Sequence, residues 1–114
     1  MDVLIVDDNE LNGRALRRAL LRRHEVRLAT TSAGALIEVR SRRPDVILCD
    51  FELGEETATG FLRVVSSECP GVRRILYSAS RPELWNELVD DKLIDLALSK
   101  PASTDSILAA IDGD

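Results

Sequence analysis

Four short apolar runs in this chain each end in a chemically capable polar group. Val3–Val6 runs into Asp7-Asp8, and Val46–Cys49 runs into Asp50. Ile75-Leu76-Tyr77 runs into Ser78, and Leu96–Ser99 runs into Lys100-Pro101. Apolar runs this short, separated by longer helix-like stretches, read as strands buried on both faces of a parallel sheet. In such a sheet every strand's carboxyl end lies on one edge, and ligands bind along that edge. The pattern therefore predicts an α/β fold with a doubly wound parallel sheet. It also predicts that three carboxylates, a hydroxyl and an ammonium converge on one small site.

The chain reads strand then helix, five times over. The strands are expected near 2–6, 25–29, 45–49, 73–78 and 95–99. Asn9 is a good N-cap for a first helix reaching about Arg22, and Thr31 or Ser32 caps a second that Pro44 stops. A polar loop, Glu52 to Thr59, leads to a third helix around Gly60–Ser67. Pro70-Gly71 marks a turn. Ser80 and Pro82 open a fourth helix that reaches about Val89, and Asp90-Asp91-Lys92 breaks it. A short fifth helix covers about Thr104–Ile111. Alternating strands and helices imply right-handed crossovers.

The length of 114 residues reads as one domain, 1–114, able to bury a core without disulfides or structural metal. No stretch approaches the roughly 18 apolar residues of a membrane helix, and no signal peptide opens the chain, so a cytoplasmic protein with no membrane contact is expected. Cys49 reads as a buried hydrophobe and Cys69 as a loop residue, with no disulfide between them. A net charge of -5 argues against nucleic-acid binding. Arg14, Arg17, Arg18, Arg22 and Arg23 read as a solvated helix face, with Leu11, Ala15, Ala19 and Leu20 facing inward. His24 reads as a helix-end surface residue, and Trp85 as a packing residue.

The candidate site builds up from its residue types. Two adjacent carboxylates, Asp7 and Asp8, repel each other at a strand end; solvation or a cation relieves this. Few carboxylates plus retained waters suit Mg²⁺. The first and third strands are neighbours in a doubly wound sheet, so Asp50 would crowd the pair. A metal-neutralised aspartate can act as a nucleophile towards phosphorus. Phosphoryl transfer needs positive charge and donors around the equatorial oxygens, and Lys100 and Ser78 supply both. The fifteen basic residues comprise thirteen arginines and two lysines, one of which stands at this strand end.

Asp-Asp, Asp, Ser and Lys-Pro at successive strand ends closely resemble the receiver domain of bacterial two-component response regulators, over essentially the whole chain. Ala79, after the hydroxyl, and the 22-residue step from Ser78 to Lys100 also fit. The resemblance implies a flavodoxin-like (CheY-like) five-stranded parallel sheet of order 2-1-3-4-5. It implies Mg²⁺ held by Asp8 directly, by Asp7 partly through water, by Asp50 and by the Glu52 backbone carbonyl. Asp50 would take a phosphoryl group from a phosphohistidine on a sensor histidine kinase or histidine phosphotransfer protein. Ser78 and Lys100 would contact the phosphate. The output would pass to a downstream protein through the fourth helix, fifth strand and fifth helix. A signalling acceptor rather than an enzyme is implied.

The chain departs from that family's pattern in three places. Ala97 stands where an aromatic usually sits, three residues before the lysine; Tyr77 points to the opposite face from Ser78 and is a poor substitute. The loop after Asp50 carries Leu53-Gly54 and the acidic Glu55 and Glu56 instead of a Met-Pro turn. Glu52 and Ser80 occupy positions that flank the path of attacking water in this family. Two other readings follow: an interaction module whose output is independent of phosphorylation, favoured by Ala97, and a small phosphohydrolase, which lacks a substrate cap. A dinucleotide site is disfavoured because Asp7-Asp8-Asn9 replaces a glycine-rich turn.

Overall fold

The computed structural model describes residues 1–113. The main sheet is built from β1 (Asp2–Val6), β2 (Glu25–Ala29), β3 (Val46–Cys49), β6 (Arg73–Ser78) and β7 (Leu96–Ser99). Its order is β2-β1-β3-β6-β7 and every pairing is parallel. This is the expected 2-1-3-4-5 arrangement, counted over the five main strands. The two extra labels come from a short antiparallel hairpin, β4 (Glu52–Leu53) and β5 (Glu56–Thr57), inside the segment read from the sequence as a polar loop.

Alternation along the strands divides the interior into two cores. Val3, Ile5, Val46, Leu48 and Ile75 point to one face, under α1 (Glu10–Leu20) and α5 (Thr104–Asp112). Leu4, Val6, Ile47, Cys49 and Leu76 point to the other, under α2 (Ser32–Ser41), α3 (Thr59–Glu68) and α4 (Asn86–Asp90). The strands of the middle of the sheet are buried on both sides, which is why they read as unbroken apolar runs.

The helix starts follow local chemistry. Asn9, Thr31 and Ser103 each accept a backbone N–H from their own first turn. The region predicted as one fourth helix opens instead as a 3₁₀ turn, Pro82–Trp85, and only then becomes α4. Lys92 ends it in a left-handed conformation, φ 56°.

The inward face of α1 differs from expectation. Leu11 is 75% exposed, and Ala15 and Ala19 are exposed too. Leu20 is buried as expected, Gly13 is buried in place of Leu11, and Leu16 is half-buried between them. Gly13 faces β2, where a Cβ built on it would lie 3.5 Å from a Leu28 methyl, an ordinary packing distance. The five arginines are exposed, as expected, and Arg14 pairs with Glu10.

Candidate functional site

β1 and β3 lie side by side, with Val6 opposite Cys49, so the residues just beyond them are forced together. Asp7, Asp8 and Asp50 each offer a carboxylate oxygen, and these atoms all lie within 4.8 Å of one another. Asp7 is the deepest, 4% exposed, while Asp8 lies at the surface. Three converging hard oxygens form a donor set suited to a small divalent cation such as Mg²⁺.

Lys100 reaches this cluster from the end of β7. Its Nζ donates to Asp50 Oδ2 at 3.1 Å and to Asp7 Oδ2 at 3.4 Å. Burial alone would lower the lysine's pKa, but the bonds and charges of Asp50 and Asp7 outweigh it and hold the pKa above the ordinary value. Lys100 is therefore a fixed positive charge. Tyr77 lies beneath the amine from the α1–α5 face, with 5.1 Å from Nζ to the ring centroid, a cation–π distance. The Lys100-Pro101 peptide is cis.

Ser78 ends β6 and is 1% exposed. Its Oγ accepts the Ser80 N–H at 3.1 Å. With Asp50, Glu52, Ala79 and Ser80 it lines a cleft of about 210 Å³. Ser80 donates from its hydroxyl to Glu52 Oε1 at 3.2 Å, bridging the mouth of that cleft. Glu52 thus sits beside the acid cluster with its side chain turned to Ser80.

Sequence reasoning brought Asp7, Asp8, Asp50, Ser78 and Lys100 together, and the structure does the same. It missed two contacts. One is the Tyr77 ring under Lys100. The other is the hairpin tip, where the Gly54 N–H donates to Asp8 Oδ2 at 3.1 Å. A signal for the second was present: Gly54-Glu55 between Leu53 and Glu56 is a two-residue tip with glycine first, the II′ hairpin pattern. Cys49 lies next to Asp50 but is chemically quiet, because burial and the Asp50 and Asp7 charges push its thiol far above the ordinary range.

Comparison with known proteins identifies the family and the fold. A family model described as the response regulator receiver domain matches residues 3–112. The chain is similar to the transcriptional regulatory protein ZraR of Escherichia coli O157:H7, 30% identical over 115 residues, covering 98% of this chain and 26% of that protein. It therefore spans about a quarter of the length of the curated relatives it matches, 26%. A receiver domain protein (CheY-like) from Methanospirillum hungatei JF-1 superposes with a TM-score of 0.91 at 21% identity, covering 98% of this chain and 90% of that one. A response regulator protein from Burkholderia pseudomallei, crystallised with a phosphorylated aspartic acid, calcium ion and citrate, gives 0.89 at 29% identity, covering 96% and 65%. A match running from Val3 almost to the end of the chain, on the same fold, establishes that this chain belongs to the response regulator receiver domain family.

Proposed function

We propose that Asp50 is a phosphoacceptor, served by a divalent cation on Asp7, Asp8 and Asp50, and that the chain signals through protein contacts. One observation carries this reading: Lys100 Nζ bonds Asp50 and Asp7 at once, beside a cleft that ends at Ser78. A carboxylate oxygen of Asp50 attacks phosphorus in line. The bond from phosphorus to the donor's imidazole nitrogen breaks, and the imidazole leaves with the electron pair. Lys100 meets the charge gathering on the phosphoryl oxygens, and Ser78 offers its hydroxyl to one of them. Mg²⁺, when bound, supplies further neutralisation of those oxygens, with the Glu52 backbone carbonyl as an additional ligand. The Burkholderia relative, crystallised with a phosphorylated aspartate and a cation, supports this assignment.

The donor is a phosphohistidine on a sensor histidine kinase or histidine phosphotransfer protein, which places the chain in the cytoplasm. The output face is α4, β7 and α5. Among the described residues no helix is long and apolar enough to cross a membrane.

A second reading, an interaction module indifferent to phosphorylation, is favoured by Ala97. This residue packs on the same core as Leu76, on the Ser78 side of the sheet, and brings no ring to that side. Incubation with Mg²⁺ and acetyl phosphate separates the two. The first reading expects a phosphoryl mass adduct, absent in Asp50→Asn and absent without the cation. An unchanged intact mass in the parent chain, under conditions that preserve acyl phosphates, favours the second.

A further inference from the structure

The three carboxylates of the site are not balanced alike. Lys100 serves Asp7 and Asp50. Asp8 is met by a backbone donor, the Gly54 N–H at the tip of the β4–β5 hairpin. The hairpin is held in place for that contact. Leu53 is buried in the core under α3, so the first strand of the hairpin is anchored. Gly54 then takes φ +70°, a left-handed turn conformation, and its N–H donates to Asp8. The Ala58 N–H closes the base of the loop on the Phe51 carbonyl at 2.7 Å.

The same hairpin touches two further elements. The Glu56 carboxylate accepts the hydroxyl of Ser32, the first residue of α2. Glu52 accepts the Ser80 hydroxyl in the β6–α4 segment. Six residues thus connect the surface member of the acid pair to the start of α2 and to the loop after Ser78.

We propose that the β4–β5 hairpin is a cation-responsive strap, in which Gly54 is a positioning residue for Asp8 and the Glu56–Ser32 contact passes cation occupancy on to α2. The proposal rests on the reading of Asp7, Asp8 and Asp50 as a divalent-cation site. The Gly54 N–H bonds Asp8 Oδ2 and so restrains a carboxylate that also belongs to the acid cluster. Ordering an exposed aspartate in advance removes an entropic cost from cation binding. By linkage, the bound cation must then stabilise the strap by the same factor.

The test is a Mg²⁺ titration of the full chain followed by amide NMR, with exchange rates read for each residue. In the parent chain the Asp7, Asp8 and Asp50 amides report binding. The Gly54 amide should exchange several-fold more slowly at saturation, and the Ser32 and Gly34 amides should shift. Gly54→Pro removes the donor, and Mg²⁺ affinity should fall about fivefold or more. Gly54→Asn tolerates the left-handed backbone and keeps the N–H, and should bind within about twofold of the parent. Nothing lies within 4 Å of a Cβ at this position, so what a substitution meets there is the positive φ: asparagine tolerates it, whereas proline, whose ring holds φ negative, gives up the turn together with the donor. Ser32→Ala should keep the Gly54 response and lose the α2 response, and it remains informative if Gly54→Pro does not fold. Faster exchange at Gly54 on adding Mg²⁺, unchanged affinity in folded Gly54→Pro, or an intact α2 response in Ser32→Ala would each overturn the strap. If Asp7, Asp8 and Asp50 themselves show no response, the cation site falls, and the strap with it; a response there without one at Gly54 sinks the strap alone.

Discussion

Lys100 neutralises Asp50 at 3.1 Å and Asp7 at 3.4 Å from a largely buried position. Lys100→Met keeps much of the stem and deletes the charge. Three carboxylates within 4.8 Å then face one another with no ammonium between them. In chelator the variant should lose about 1–3 kcal/mol, measured by denaturant unfolding. Added Mg²⁺ should restore most of that stability, because a divalent ion replaces the lost charge, yet phosphorylation by acetyl phosphate should stay slow. Equal stability of variant and parent in chelator would show that the ammonium does not balance the cluster. His24 argues in the other direction. It was expected at the surface, but its ring is largely buried, with Nε2 3.6 Å from Asp112 Oδ1. Burial lowers its pKa first, and the Met1 amino group adds to this, against the opposing pull of Asp112. A base whose folded pKa is depressed is protonated more readily in the unfolded chain. Stability should therefore fall as pH drops through the ordinary histidine value of 6.5. His24→Gln should flatten that part of the curve, and an unflattened curve would assign the titration elsewhere.

At the scale of elements, most boundaries were legible because each had a local cause. The double-sided burial of β1, β3 and β6 leaves runs such as Val3–Val6 with no polar break, and Asn9 and Thr31 mark helix starts by side-chain chemistry. Where the cause was tertiary, the apolar pattern was silent, although Gly54-Glu55 did mark the hairpin tip. Each strand of the β4–β5 hairpin has two residues, too few for any alternation to register. The inward stripe of α1 runs through Gly13, which carries no side chain to mark a face, so Leu11, Ala15 and Ala19 suggested the wrong one. The split of the fourth helix into a 3₁₀ turn and a short α-helix follows Pro82 and ends on buried Trp85, whose indole N–H finds no partner among the described residues. Trp85 and Ala97 both belong to the core beneath α3 and α4. Ala97 is on an edge strand and only half-buried, so Ala97→Tyr should cost no more than the low end of the about 1–3 kcal/mol that added bulk costs in a closed core. Its ring would add bulk to the side of the sheet that carries Ser78. The Trp85 fluorescence change on phosphorylation should then be larger than in the parent. An identical change in both proteins would mean that this side of the sheet does not carry the signal.

Across the whole molecule, the site occupies the point where the winding of the sheet reverses. From β1 the chain turns outward to β2, while β3, β6 and β7 extend on the other side. The two cores meet the acid cluster there, through Val6 and Cys49 on one face and Ile5 and Leu48 on the other. No single element owns the site: Asp7 and Asp8 follow β1, Asp50 follows β3, and Lys100 follows β7. The ends of β1 and β3 come together only in the folded chain, so a cation that needs all three carboxylates binds the native state and not the unfolded one. Binding must therefore stabilise the whole domain rather than a loop. At a concentration one hundred times its dissociation constant, a single such ion contributes about 2.7 kcal/mol. For a domain of this size that corresponds to a rise in Tm of about 10 °C or more. Mg²⁺ should produce that rise in the parent chain, and NaCl at matched ionic strength should not. Asp8→Asn, which leaves both Lys100 contacts intact, should lose most of it. The same rise in Asp8→Asn would mean that the ion stabilises the fold from a different place, and that the convergence of β1 and β3 has no special claim on it.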